Sequence, residues 1–127
     1  MKYCFGVDVG GTTVKMGLFQ EDGMLKEKWE IVTRKENGGE NILPDIAESI
    51  KEKLEETGIS KEAVIGIGMG IPAPIKEDGI VKNTANLGWG YKEVKKELEE
   101  LEKNPIAEKF KNVFSKKEKL ICDYFKG

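Results

Sequence analysis

The sequence predicts an α/β fold: a mixed sheet from a β-β-β-α-β unit, followed by a helical C-terminal tail. Three observations carry that prediction. Tyr3 to Val9 is a nearly unbroken apolar run, as a strand covered on both faces requires. Residues 13–20 and 25–33 alternate apolar and polar side chains, the period of a half-buried strand. Ile42, Ile46, Ile50 and Leu54 recur every four residues, the period of one helix face.

Each element follows in order. Gly10-Gly11 sits between the first two runs and reads as a hairpin turn. In the second run Val14, Met16 and Leu18 lie on one side, with Lys15, Gly17 and Phe19 on the other. Glu21-Asp22-Gly23 is a turn with Asp-Gly chemistry. Leu25 to Thr33 is a third strand, with Leu25, Trp29 and Ile31 on one face, so the first three strands form an antiparallel meander. Arg34 to Gly39 is a polar loop. In the helix that follows, Leu43 and Ala47 widen the apolar stripe, Pro44 falls in the first turn, and Gly58 is the C-terminal cap. Val64 to Ile71, interrupted by Gly66, Gly68 and Gly70, is a buried strand expected to pair parallel to the first.

Beyond it, Lys76 to Gly79 is a turn, Ile80-Val81 a short strand and Leu87 to Gly90 irregular. Lys92 to Lys103 is a charged helix with Val94, Leu98 and Leu101 as its narrow apolar stripe. Asn104-Pro105 ends it. Two short helices are expected after that. The first carries Ile106, Phe110, Val113 and Phe114, and the second Leu120, Ile121, Tyr124 and Phe125. Ser115 and Glu118 have capping-box spacing between them. The chain therefore divides into a lobe over residues 1–102 and a helical tail over 103–127.

Length and charge narrow the functional classes. The 127 residues suit one domain with a core of its own. Net charge is −2, from 21 basic and 23 acidic side chains, which gives no electrostatic reason to expect nucleic acid or a membrane as partner. The N-terminus runs straight into a strand pattern without a cleavage signal. Cys4 and Cys122 are two lone cysteines in apolar settings. Both features imply a reducing, cytoplasmic setting. Histidine is absent. That excludes Ser-His and Cys-His nucleophile pairs, an imidazole base and His-ligated zinc. Acid–base work would fall to carboxylates or lysines.

The bend Gly10-Gly11-Thr12-Thr13 has its own chemistry. Two glycines let backbone N–H groups approach an anion with no Cβ in the way. Thr12 and Thr13 add hydroxyl donors. Asp8 cannot bind phosphate directly, since both are negative; its suitable task is to hold Mg²⁺ through water. Lys15 faces either the same phosphates or solvent. The plain alternative is an ordinary hairpin whose aspartate caps the turn.

Three motifs in order resemble the N-terminal lobe of the actin-like sugar-kinase fold, which is ribonuclease H-like. They are Gly6 to Gly17, then Gly66 to Pro74, then Asn86-Leu87-Gly88-Trp89. The nearer resemblance is to bacterial glucokinases of the ROK family (repressors, open reading frames, kinases), over about residues 1–102. It implies phosphoryl transfer from ATP to glucose, with Asp8, Gly10, Gly11, Thr12, Thr13 and Lys15 at the nucleotide phosphates and Mg²⁺. It also implies that Asn86 holds sugar hydroxyls, which an amide can do by donating to one and accepting from another. Trp89 reads as a core or loop anchor.

The sequence departs from the family in places. Ala73 stands where the family's Pro-Gly-Pro has glycine, and its methyl crowds the approach to a sugar. The Asn-Asp-Ala-Asn motif, whose aspartate takes the sugar's proton, has no counterpart, nor does the zinc motif. No catalytic residue is therefore assigned. The expectation is a truncated hexose-kinase lobe with little or no turnover alone. A sugar- or nucleotide-binding regulatory module and one subunit of a split kinase are the alternatives. The apolar tail offers a surface for a second copy or a partner chain.

Overall fold

Two strands that differ in patterning build the centre of the sheet. The computed structural model describes residues 1–72, 80–81, 87–99 and 110–115. Tyr3–Val9 (β1) and Thr13–Gln20 (β2) pair antiparallel, with Val9 opposite Val14 and Asp8 opposite Lys15. Leu25–Val32 (β3) continues the meander along β2, with Met16 opposite Trp29. Its burial alternates residue by residue, as a strand with one face in solvent must.

After β3 the chain makes a short turn at Glu36–Gly39 (α1), in which Asn37 and Gly38 are left-handed. Ile42–Thr57 (α2) then crosses the sheet and buries Ile42, Leu43, Ile46, Ala47, Ile50 and Leu54. Gly58 ends it at φ 73°, a left-handed cap that a side chain would strain. Val64–Ile71 (β4) returns parallel to β1, as the β-β-β-α-β reading requires. Ile80–Val81 (β5) and Lys92–Glu93 (β6) form a separate two-stranded ribbon. Val94–Glu99 (α3) follows directly, so the predicted helix at Lys92 begins as a strand.

The tail requires a correction. Phe110–Ser115 (β7) is a strand, not helix, and lies parallel to β4 with Met69 opposite Val113. The spacing of Phe110, Val113 and Phe114 fits a helix, but aromatic and branched residues suit a strand equally well. The deciding term is tertiary. Without a neighbour, β4 would leave a row of backbone N–H and C=O groups unpaired at a buried edge. β7 supplies those partners and completes a five-stranded sheet of order β3-β2-β1-β4-β7. The predicted helix over Leu120 to Phe125, the Lys76–Gly79 turn and Asn86 lie outside the described residues.

The two faces of the sheet differ in character. Phe5, Val7, Val9, Val14, Met16, Leu18, Ile67 and Met69 pack with the apolar stripe of α2 in one core. Burying one such side chain contributes about 2 kcal/mol, so this face dominates folding. Trp29 joins it edge-on to Phe5, with ring centroids 6.1 Å apart. Its indole N–H donates to Ser49 Oγ at 2.9 Å, and Lys53 Nζ lies 4.7 Å above its ring. Lys53 also pairs with Glu27 and Glu56. Burial works against its charge, but the two carboxylates prevail and hold the ammonium above its ordinary value.

The opposite face carries Cys4, Gly6, Asp8 on β1 and Lys15, Gly17, Phe19 on β2. Gly17, Gly6 and Gly68 stand in one register row across three strands, so this face is flat beside Asp8. Burial pushes the Cys4 thiol up, and the residue is a free cysteine.

Candidate functional site

Parallel strands end at the same edge of a sheet, and ligands of open α/β sheets bind beyond those ends. Here β1 ends at the Gly10-Gly11-Thr12 bend, β4 ends at Ile71, and β7 ends at Ser115. Gly70 is the register partner of Asp8, and Ile71 that of Ser115. The structure thus brings Asp8, Gly10, Gly11, Thr12, Thr13 and Lys15 together at one edge. Asn86 lies outside the described residues, and only its neighbours Leu87, Gly88 and Trp89 are placed.

The bend is tight. The Gly10 N–H donates to Thr13 O at 3.0 Å, closing the hairpin. A Cβ at Gly10 would stand 2.8 Å from that same carbonyl, which belongs to the backbone and cannot move aside. Glycine is therefore required there by the turn itself. Among the described residues, the Gly11 and Thr12 amides find no protein acceptor. Both residues lie at the surface end of the hairpin, Thr12 exposed and Gly11 partly so. Two adjacent amides left without a protein acceptor on a glycine bend can receive an anionic oxygen.

Charge at the bend is mixed. Asp8 is half-buried on the flat face, and Lys15 is exposed directly across from it. Lys15 is in turn opposite Glu30 on β3. A shallow surface depression is lined by Lys15, Lys28, Trp29 and Glu30. The lysine thus has a carboxylate residue opposite it on both flanking strands. Among the described residues no three metal-ligating side chains cluster. One carboxylate beside these amides fits a phosphate-bound Mg²⁺ held through water, and does not fit a dedicated all-protein metal cage.

Two functional positions escape sequence reading. Thr33 is 5% exposed. Its hydroxyl donates to Gly10 O at 2.7 Å, and its N–H donates to Thr12 O at 2.9 Å. A threonine at the end of a strand pattern gives no hint of partners more than twenty residues away. Gly39 is the second. Its carbonyl accepts the indole N–H of Trp89 at 3.1 Å. Trp89 is 1% exposed, as its reading as an anchor requires. The Asn37-Gly38-Gly39 triplet was the available signal, since those residues tolerate left-handed backbone.

Comparison with known proteins bears on the family and the fold. The ROK family matches residues 4–110. A glucokinase of Halalkalibacterium halodurans is 41% identical over 106 residues, covering 83% of this chain and 32% of the relative. A glucokinase of Thermotoga maritima is 42% identical over 82 residues, covering 64% of this chain and 24% of its own. The crystal structure of a ROK family glucokinase from Streptomyces griseus, in complex with glucose and AMPPNP, superposes with a TM-score of 0.66. It is 21% identical and covers 89% of this chain and 32% of that one, a likeness of fold. A ROK hexokinase from Thermus thermophilus gives a TM-score of 0.64 at 28% identity, covering 89% of this chain and 34% of its own. The chain thus spans about a third of the length of the first of these relatives. Among the described residues, no helix is long and apolar enough to cross a membrane. With residues 4–110 matched by the family and glucokinases among its relatives, this chain belongs to the ROK family.

Proposed function

We propose that these residues form the nucleotide- and sugar-binding lobe of an ATP-dependent hexose kinase of the glucokinase type. One observation carries the reading. The amides of Gly11 and Thr12, without an acceptor among the described residues, stand at the end of β1, with Asp8 and Lys15 at facing register positions beside them. Phosphoryl transfer is mostly positioning and charge stabilisation, and this edge supplies donors for both. In this reading Gly11, Thr12 and Thr13 hold the terminal phosphates, and Asp8 orients water around their Mg²⁺. Lys15 adds a positive charge on the flank, and Asn86 takes sugar hydroxyls. The metal's contribution when bound is to neutralise the phosphates.

No aspartate follows β7 in the manner of the family's proton acceptor: the next residues are Lys116, Lys117 and Glu118. The chain as it stands therefore binds ligand with little or no turnover. The apolar tail is proposed to meet a second copy or a partner chain.

Titration calorimetry with Mg·AMPPNP and with glucose tests the binding. The expected result is Mg²⁺-dependent nucleotide binding that Asp8→Asn weakens at least about tenfold, the worth of one charge-assisted contact. Absence of heat with either ligand overturns the reading. A coupled assay tests turnover: glucose-dependent ADP release above background that disappears in Asp8→Ala would contradict the expected inactivity.

A further inference from the structure

One segment touches both the Gly10–Thr12 bend and the Leu87–Trp89 corner. It begins at Thr33, whose two hydrogen bonds reach the phosphate bend, and ends at Gly39, whose carbonyl takes the Trp89 indole. Between them Arg34 makes a two-pronged contact with Asp45 in the first turn of α2, at 2.7 and 2.6 Å. The segment is thus fastened to the bend, to the helix and to the Leu87–Trp89 corner.

Each fastening has a directional consequence. In a trans peptide the carbonyl and the following N–H point opposite ways. Drawing the Gly10 carbonyl toward the Thr33 hydroxyl therefore aims the Gly11 N–H away from Thr33, toward the open edge. Without that hydroxyl the peptide could rotate, and the anion donor would lose its direction.

The far end is built with comparable tightness. The Gly39 N–H donates to Lys35 O at 3.1 Å, and Gly39 has φ +69°. A Cβ there would lie 2.5 Å from Leu87 O and 2.7 Å from the Trp89 ring. Gly88 has φ +76°, and a Cβ on it would approach Lys35 O to 3.1 Å. Two left-handed turns are therefore pressed backbone to backbone, with the indole N–H as their hydrogen bond.

We propose that Thr33–Gly39 is a brace in which Thr33 positions the phosphate-binding amides and Gly39 locks the Leu87–Trp89 corner to the same segment. The ligand roles rest on the function proposed above; the brace itself does not. Neither residue touches ligand in this account, and both act through backbone direction.

Four variants and two readouts test it. Thr33→Val removes the hydroxyl and keeps the shape, whereas Thr33→Ser keeps the hydroxyl. Mg·AMPPNP affinity is expected to fall at least about tenfold in the valine variant and to stay within about twofold in the serine variant. Glucose affinity stays unchanged in both. Gly39→Ala and Gly38→Ala share the same left-handed strain, but only the first also meets backbone at 2.5 Å. Only Gly39→Ala should free the corner, read as faster exchange of the Trp89 indole N–H.

Amide hydrogen exchange decides whether the brace exists, with or without ligand. Gly10 and Thr33 amides should exchange at least about tenfold faster in Thr33→Val, and the Gly39 amide likewise in Gly39→Ala, while Ile46 to Leu54 keep their rates. Even acceleration across sheet and helix, or no local change, would overturn the proposal. If exchange responds locally but neither ligand binds the parent chain, the kinase reading fails and the brace stands.

Discussion

The Gly10–Thr12 bend and the Leu87–Trp89 corner are both glycine turns fastened to the Thr33–Gly39 segment, yet they are finished in opposite ways. The bend leaves the amides of Gly11 and Thr12 without acceptors among the described residues. The corner uses its indole N–H internally, and it buries Leu87 and Trp89 completely. A donor left open at a surface costs little, because water satisfies it until a ligand arrives. A donor left open at the buried corner would cost about 1–3 kcal/mol. The second turn is thus built to hold, and the first is the one proposed to bind.

The largest effect expected from breaking this contrast is at the corner. Trp89→Ala should lower the unfolding free energy by about 4 kcal/mol, since it empties a buried aromatic site and orphans the Gly39 carbonyl. Urea denaturation measures it, and a loss below about 1 kcal/mol would show that the corner holds nothing.

Gly39→Ala comes next, at about 3 kcal/mol, combining a backbone clash with left-handed strain. Gly23→Ala is its control, because Gly23 has φ +90° but nothing within 4 Å of a Cβ. That substitution should cost only about 1 kcal/mol, the strain alone. Equal losses at the two positions would remove the steric half of the argument.

Much of this was legible in the chain. Val14, Met16 and Leu18 alternate because β2 has one face on α2, and Ile42, Ile46, Ile50 and Leu54 repeat because they meet that face. Asp8 and Gly10-Gly11 fall at a strand end simply because an apolar run stops there. β7 was not legible. Its partner β4 lies some forty residues earlier, and local spacing favoured a helix over Phe110 to Phe114. Thr33 and Gly39 were hidden for the same reason: what makes them matter is a partner distant in sequence. Local period reports which face is buried, and it is silent on which backbone atoms meet.

A smaller effect is expected at Lys53, which clasps β3 to α2 away from both turns. Lys53→Met keeps the apolar stem over Trp29 and removes the charge, at a cost of about 1 kcal/mol. The folded state holds this ammonium above its ordinary value. Its contribution is therefore fully present below about pH 10 and lost as pH rises through the folded value. Wild-type and variant stabilities should converge above that range and differ by a constant amount between pH 7 and 9. A difference that grows on acidification would contradict the assignment.

The most direct test of the contrast is a titration of the isotopically labelled chain with Mg·AMPPNP, followed through its backbone amide resonances. The account predicts that Gly11 and Thr12 shift saturably and only when Mg²⁺ is present, while Gly88 and Trp89 stay in place. Shifts at the corner with none at the bend, or no saturable shift at either, would contradict it.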